Sequence, residues 1–460
     1  MCHLPAFKYL CKALRSIPAR ASVAAMLLSP PALAQVFDPL EGANPQLVAE
    51  QADLLAASLA APENVELAFR YAEVSVTLGD YEAAISTLER LLIFSPGLGA
   101  AQLELGALYF RLGSFEVART YLEFAQSSNS ATAETRERAA VYLAAIEEAE
   151  DPASISGTVI LGVRYQSNAN AGPSSRFVTL NGIPYVLDET AVGDPDVNGF
   201  IAGGVHGAYD VGNQGDLLEA DLVFYGSRYA DFTRLDTELA ELTFGPSFSL
   251  GRFEIDNARL GVYGILGGVR LNGANYSGSV GSGLKFEMLP DIQSSLNARA
   301  EIRRRWFNDT ATYPTVTDYD GYQLLGVVTY SRQATEAIRW WVQVLADYEE
   351  ASANFEQSWE AGFALGATYT FSSPIDAVPY DWAFDLEAGY IRRDYDEPNP
   401  AVSLTQTQYD NEGWLRAILT VPVREDVALA LTGELHRQQS NYVTREYSDA
   451  SATISVIKNF

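Results

Sequence analysis

Thiol chemistry is almost missing from this sequence. Its 460 residues include two cysteines, Cys2 and Cys11, so the body of the chain can build neither a disulfide framework nor a thiolate metal site. Histidine is equally scarce: past the N-terminal segment only His206 and His436 occur, which makes a built-in transition-metal centre unexpected. Basic residues number 31 against 59 acidic ones, a formal net charge of −28. A chain this acidic repels phosphate backbones, which excludes nucleic acid as a partner. No apolar run reaches the roughly 20 residues that a spanning helix requires, and mean hydropathy is −0.03. A Gly-x-Ser-x-Gly elbow and a Walker-type nucleotide loop are both absent, so no catalytic residue, enzyme activity or cofactor is expected. What is present is 48% hydrophobic and 11% aromatic, too apolar for disorder and long enough for two or three domains.

Residues 1–34 read as a secretory signal peptide. Lys8, Lys12, Arg15 and Arg20 precede a short apolar stretch, Ala21 to Leu28, and Ala32 and Ala34 supply the small residues of a cleavage site. Cleavage would remove four positive charges and no negative ones, leaving −32, and would remove both cysteines. No cysteine follows that point, so a lipoprotein is not expected. Residues 35–44 are a linker.

From Pro45 to Glu150 the apolar pattern is helical and repeats. Ala72, Gly79, Tyr81, Ala84, Leu88 and Leu91 recur 34 residues later as Gly106, Gly113, Phe115, Ala118, Leu122 and Ala125, and Pro96 echoes Pro62. Small residues where helices cross, with an aromatic after a turn glycine, resemble the tetratricopeptide repeat. The spacing predicts a half repeat (47–60), two full repeats (65–94 and 98–127) and a closing helix (132–149), in which each hairpin buries its apolar face only against its neighbours. Six arginines and no lysine stand against sixteen acids here. The resulting −10 favours a partner with a basic or mixed surface.

At Ser154 the period changes from 3.6 to 2. Trp359, Phe363, Leu365 and Phe371 share one face of a segment whose other face carries Glu360, Gly362 and Thr368. Fourteen such segments are predicted: 154–167, 199–211, 215–229, 236–250, 257–271, 276–288, 292–306, 319–332, 335–349, 356–371, 380–394, 409–421, 425–439 and 447–460. A soluble sandwich also alternates. The length of the segments, their even number and all six tryptophans lying within this region favour an outer-membrane β-barrel over 151–460. Loop parity agrees: the three longest connections, 168–198, 307–318 and 395–408, fall on one side, and short ones such as Gly212 to Gln214 and Leu289 to Asp291 on the other. Phe460, with Val456, Ile454 and Ala452 on its face, resembles the signal read by barrel-assembly machinery, with Lys458 as a departure. The expected fold is a short tetratricopeptide solenoid in the periplasm followed by a 14-stranded antiparallel barrel in outer-membrane lipid.

Charge facing lipid costs about 2–4 kcal/mol per arginine at the midplane, so alternation is expected to turn charged residues into the bore. The candidates are Arg299, Glu301, Arg303 and Arg305 on one strand, Asp381, Asp385 and Glu387 on another, and Glu219, Asp221 and Glu241 on two early strands. His206 and His436 belong to the same polar face. These groups either guide a substrate or brace the wall as ion pairs.

The order of signal peptide, short repeat module and fourteen-stranded barrel resembles the surface lipoprotein assembly modulator (Slam) family of type XI secretion. Locally, the stretch from Ser156 to Asn170, a small-residue strand entering Ser167-Asn168-Ala169-Asn170, looks like that family's first barrel strand. The resemblance implies export of a client, a lipoprotein or a soluble secreted protein, with the repeats receiving client or periplasmic chaperone. An exopolysaccharide export porin and a plain diffusion porin are the alternatives.

Overall fold

The computed structural model describes residues 45–291, 293–375 and 378–460. The signal sequence read over 1–34, with Ala32 and Ala34, and the linker 35–44 lie outside the described residues. The chain divides into two compact units between Asp151 and Pro152.

Among the described residues the first unit contains six helices: α1 (Pro45–Ala60), α2 (Val65–Thr77), α3 (Tyr81–Phe94), α4 (Gly99–Arg111), α5 (Phe115–Ser127) and α6 (Ala133–Glu150). Side-chain caps start three of them: Asn64 accepts from the Leu67 N–H, Asp80 from Ala83 and Thr132 from Thr135. Gly79 and Gly113, at φ +80 and +71, end α2 and α4 in the left-handed conformation that glycine adopts without cost. The 34-residue repeat extends to the hydrogen bonds that follow. Asp80 N–H donates to Ser75 O and Ser114 N–H to Tyr109 O. Ala72 and Ala84 are buried with Leu88 and Leu105, and Ala118 with Leu122. At Gly106 a Cβ would lie 2.5 Å from Leu122 Cγ, so this crossing needs glycine where the preceding repeat has Ala72. Tyr81 and Phe115 are half-buried, and Pro96 is exposed in the α3–α4 turn.

The second unit is a closed barrel of fourteen antiparallel strands: β1 (Ala153–Gln166), β4 (Asp196–Asp210), β5 (Leu217–Tyr229), β6 (Thr237–Ser249), β7 (Ala258–Leu271), β8 (Ala274–Asp291), β9 (Ser294–Phe307), β10 (Gly321–Gln333), β11 (Ile338–Glu349), β12 (Ser358–Phe371), β13 (Trp382–Tyr395), β14 (Tyr409–Arg424), β15 (Val427–Ser440) and β16 (Tyr447–Asn459). Each pairs with its sequence neighbour, and β1 closes the ring on β16, with Thr158 opposite Asn459. Two short strands inside the first long loop, β2 (Phe177–Leu180) and β3 (Ile183–Val186), form a separate hairpin.

All fourteen predicted segments are strands, and three details differ. The connection expected at Leu289–Asp291 is the end of β8, which bulges between Met288 and Asp291 and so runs further than period-two reading allows. Asp381 precedes β13 and is exposed beside the β12–β13 turn, so it is not a wall residue. The β2–β3 hairpin was not foreseen, because eight residues around Asn181-Gly182 carry no sustained alternation.

Outward faces are apolar and bare. Leu161, Val163, Leu266, Phe363, Leu365 and Ile454 are each about half exposed, a continuous oily surface that water would not tolerate and lipid would. Over the middle of the wall the opposite parity carries the charge, and outward-parity charges such as Arg228, Arg270 and Arg392 stand near strand ends. Long connections (167–195, 308–320, 396–408) open on one rim together with a two-residue turn at Asn272-Gly273. Shorter ones open on the other. Two of the six tryptophans break the outward pattern: Trp341 and Trp414 share the bore face with Gly366 and Gly389, whose missing Cβ atoms they cover.

Candidate functional site

The bore wall is the candidate site, and strand register assembles it. On β9 the odd positions Arg299, Glu301, Arg303 and Arg305 face inward. Arg303 donates to Glu241 at 2.6 Å and is bonded to Glu301, with its side chain only 2% exposed. Glu241 is on β6, three strands away. The guanidinium reaches it because the intervening strands present Gly267 and Gly281; a Cβ at 281 would strike Arg303 itself, and one at 267 would crowd Glu241. Arg299 stands 3.5 Å from Glu301, which also accepts from the Tyr263 hydroxyl at 2.9 Å. Arg305 reaches across β10 to Glu349 at 2.9 Å, and Gln323 joins it by donating to Asp347 at 2.8 Å.

The other candidates are paired in the same way. Glu219 takes Lys285 Nζ at 2.8 Å. His206 Nδ1 lies 2.6 Å from Asp221, and the Thr243 hydroxyl goes to that carboxylate rather than to the imidazole. Thr368 donates to Asp385 at 2.5 Å. Glu387 and Glu434 grip Arg416 from either side at 2.5 and 2.7 Å. His436 Nε2 lies 2.9 Å from Glu412. The Tyr447 ring stacks on the His436 imidazole at 5.3 Å, and among the described residues no group of three His, Cys, Asp or Glu is placed to hold a metal.

A further buried set was not singled out from the sequence: Arg393 on β13 bonds Glu360 on β12 and stands 3.6 Å from Asp410 on β14. Each of the three has the inward parity of its strand, so alternation could have found them. Charges bonded to one another in a low-dielectric wall are stiff, and removing one partner strands the other. The arrangement therefore holds the bore's shape and lines it with fixed dipoles.

Loops on the long-loop rim fold inward. Tyr313 and Val316 from loop 308–320 pack on Val269 and Leu271, which face the bore, beside Tyr276 and Phe307. The Tyr313 hydroxyl donates to the Arg234 carbonyl, and burial pushes its pKa up to about 12. Arg445, 4.0 Å from Glu356, ties the last loop to the β11–β12 loop. Burial opposes its charge, but Tyr319, Glu356, Tyr395 and Asp410 outweigh burial and hold its pKa above the usual value. The Ser167–Asn170 segment has a structural role. Asn168 brackets Gly172 with its amide, and Asn170 bonds Val192 O at 2.7 Å and the Asp194 N–H at 3.1 Å.

No family model and no curated protein sequence matches this chain. Among solved structures, the tetratricopeptide domain of P58(IPK) aligns with 23% of this chain at 24% identity and TM-score 0.21, and the match spans 29% of that structure. The outer membrane channel DcaP of Acinetobacter baumannii aligns with 67% of the chain and 97% of its own length at 11% identity and TM-score 0.37. A bacterial polysaccharide outer membrane secretin aligns with 66% of the chain and 98% of its own length at 9% identity and TM-score 0.35. By its own geometry the chain combines a tetratricopeptide-like helical unit with an outer-membrane-type barrel.

Proposed function

We propose that this protein is an outer-membrane conduit that exports a specific client polypeptide, with the helical unit recruiting the client or its chaperone on the periplasmic side. The observation that carries this reading is the joining of two parts within one chain. A stack of helical hairpins, whose −10 charge suits a basic or mixed partner, leads directly into a barrel whose bore is lined by charge. A plain diffusion pore has no use for the helical unit. Its hairpins offer a recruiting surface of the kind repeat stacks use, and a hydrated, charged bore suits an extended chain better than an apolar one.

Surface-shaving proteomics on parent and deletion strains tests the proposal. The expected result is one client, or one small set, missing from the surface of the deletion strain and accumulated in its periplasm. Normal display of every surface protein in the deletion strain would overturn it.

A further inference from the structure

Two of the largest side chains on the bore face take no part in its ion-pair network. Trp341 on β11 leans over Gly366 of β12, where an added Cβ would meet Cε2, Nε1 and Cζ2 of the indole at 2.7, 2.7 and 2.8 Å. The ring therefore lies across the glycine rather than edge-on to it. Trp414 on β14 covers Gly389 of β13 in the same way. Since β12 and β13 run between β11 and β14, the indoles approach each other from opposite sides. Register puts Glu387 opposite Gly366 and two residues before Gly389 on its own strand. With strands about 4.8 Å apart and about 3.3 Å per residue, the covered glycines are about 8 Å apart.

The bore itself shows what a ring laid on glycine holds. Phe200 lies over Gly162, and the Arg164 guanidinium stands 5.2 Å from the centre of that ring. Indole attracts a cation more strongly than a phenyl ring does, yet among the described residues neither Trp341 nor Trp414 carries a cation or stacks on another ring. Each is half-buried, with its inner face on glycine and its outer face toward the bore. The surrounding charge has one sign in excess. On the inward parity of β11 to β15, Asp347, Glu349 and Glu360 with Asp385, Glu387, Asp410, Glu412 and Glu434 stand against Arg339, Arg393 and Arg416. Arg305 from β9 neutralises one more of these acids. The remaining negative field favours a cation over a neutral group at the two ring faces.

We propose that Trp341 and Trp414 form a relay for basic side chains, arginine above all, of an extended polypeptide passing along the bore. Alternate side chains of an extended chain are about 7 Å apart, so basic residues at i and i+2 fit both indoles at once. The inference rests on the reading of the barrel as a polypeptide conduit, and adds to it the chemistry of the client.

Titration calorimetry of the full chain in uncharged micelles tests this. The probes are an eight-residue peptide alternating arginine and serine, the all-serine peptide and maltohexaose. The expected result is binding of the arginine peptide alone, at least tenfold weaker in W341L/W414L and intermediate in W341F/W414F. Leucine still covers the glycine but has no π face. The helical unit, whose −10 charge also attracts the peptide, is the same in all three proteins. Equal affinity in the parent and the leucine variant, or equal loss in the leucine and phenylalanine variants, would overturn the proposal. Binding of maltohexaose as tight as that of the peptide would reassign the indoles to a sugar and overturn it too. Tryptophan-dependent peptide binding alongside normal surface display in the deletion strain would keep the relay and remove the export reading; a missing client with idle indoles would do the reverse.

Discussion

At the scale of single residues the bore is governed by compensation. Arg303 is nearly inaccessible and satisfies Glu241 and Glu301 at once. Removing a buried partner typically costs about 3–5 kcal/mol, because the remaining charge is left uncompensated. Arg303→Met is expected to lose stability of that order by urea unfolding in lipid vesicles. Adding Glu241→Gln and Glu301→Gln should recover most of it, and no recovery would show that the arginine acts by packing. In the helical unit, burial, and then the bond to Glu89, pushes the Tyr109 hydroxyl up to about 12 from its usual 10. A raised folded-state pKa means stability present below pH 10 and lost as pH rises from 10 toward 12. Alkaline titration followed by helical circular dichroism should show that loss in the parent and a smaller one in Tyr109→Phe; superimposable curves would sink the assignment. Residues such as Arg303 were legible from alternation, because lipid and bore permit only one sign of polarity on each face. The pairing of Arg303 with Glu241 was not, since a bond crossing two glycine-bearing strands depends on register, which alternation does not supply.

Among elements, regular ones were far easier to foresee than loops. A barrel strand must alternate and a stacked helix must repeat, so both leave periodic traces, and the tetratricopeptide period located helix ends within a few residues. Loop 308–320 leaves none, because its aromatics pack by shape against β7 and β9. That loop narrows the bore mouth. Replacing residues 309–317 with a short Gly-Ser turn is expected to raise single-channel conductance in planar bilayers at least twofold. Conductance equal to the parent's would show that the loop lies clear of the conducting path. The Ser167–Asn170 stretch teaches the same lesson from the other side. In the fold its asparagines are loop staples, a role that no period in the sequence marks. Asp381 shows the limit of period-two reading: one position beyond the strand, the rule that places a charge inward no longer holds.

For the molecule as a whole, the closed sheet follows from having no tolerable edge in lipid, and the sequence carried that requirement through fourteen alternating segments ending in an even count. Function was less legible, because the same wall could serve protein, polysaccharide or small solutes, and only the attached helices separate these. Closure has one more consequence. The seam joins Thr158 to Asn459 across 301 positions, and Phe460 exchanges both backbone bonds with Gly157. The cylinder therefore cannot shut until β16 has been made and has met the first strand, a distant and slow kind of meeting for a chain. A copy clipped a dozen residues short would be left as an open gutter, with two raw flanks instead of a slightly weaker pipe, and quality control at the membrane need only check the final strand to judge everything before it.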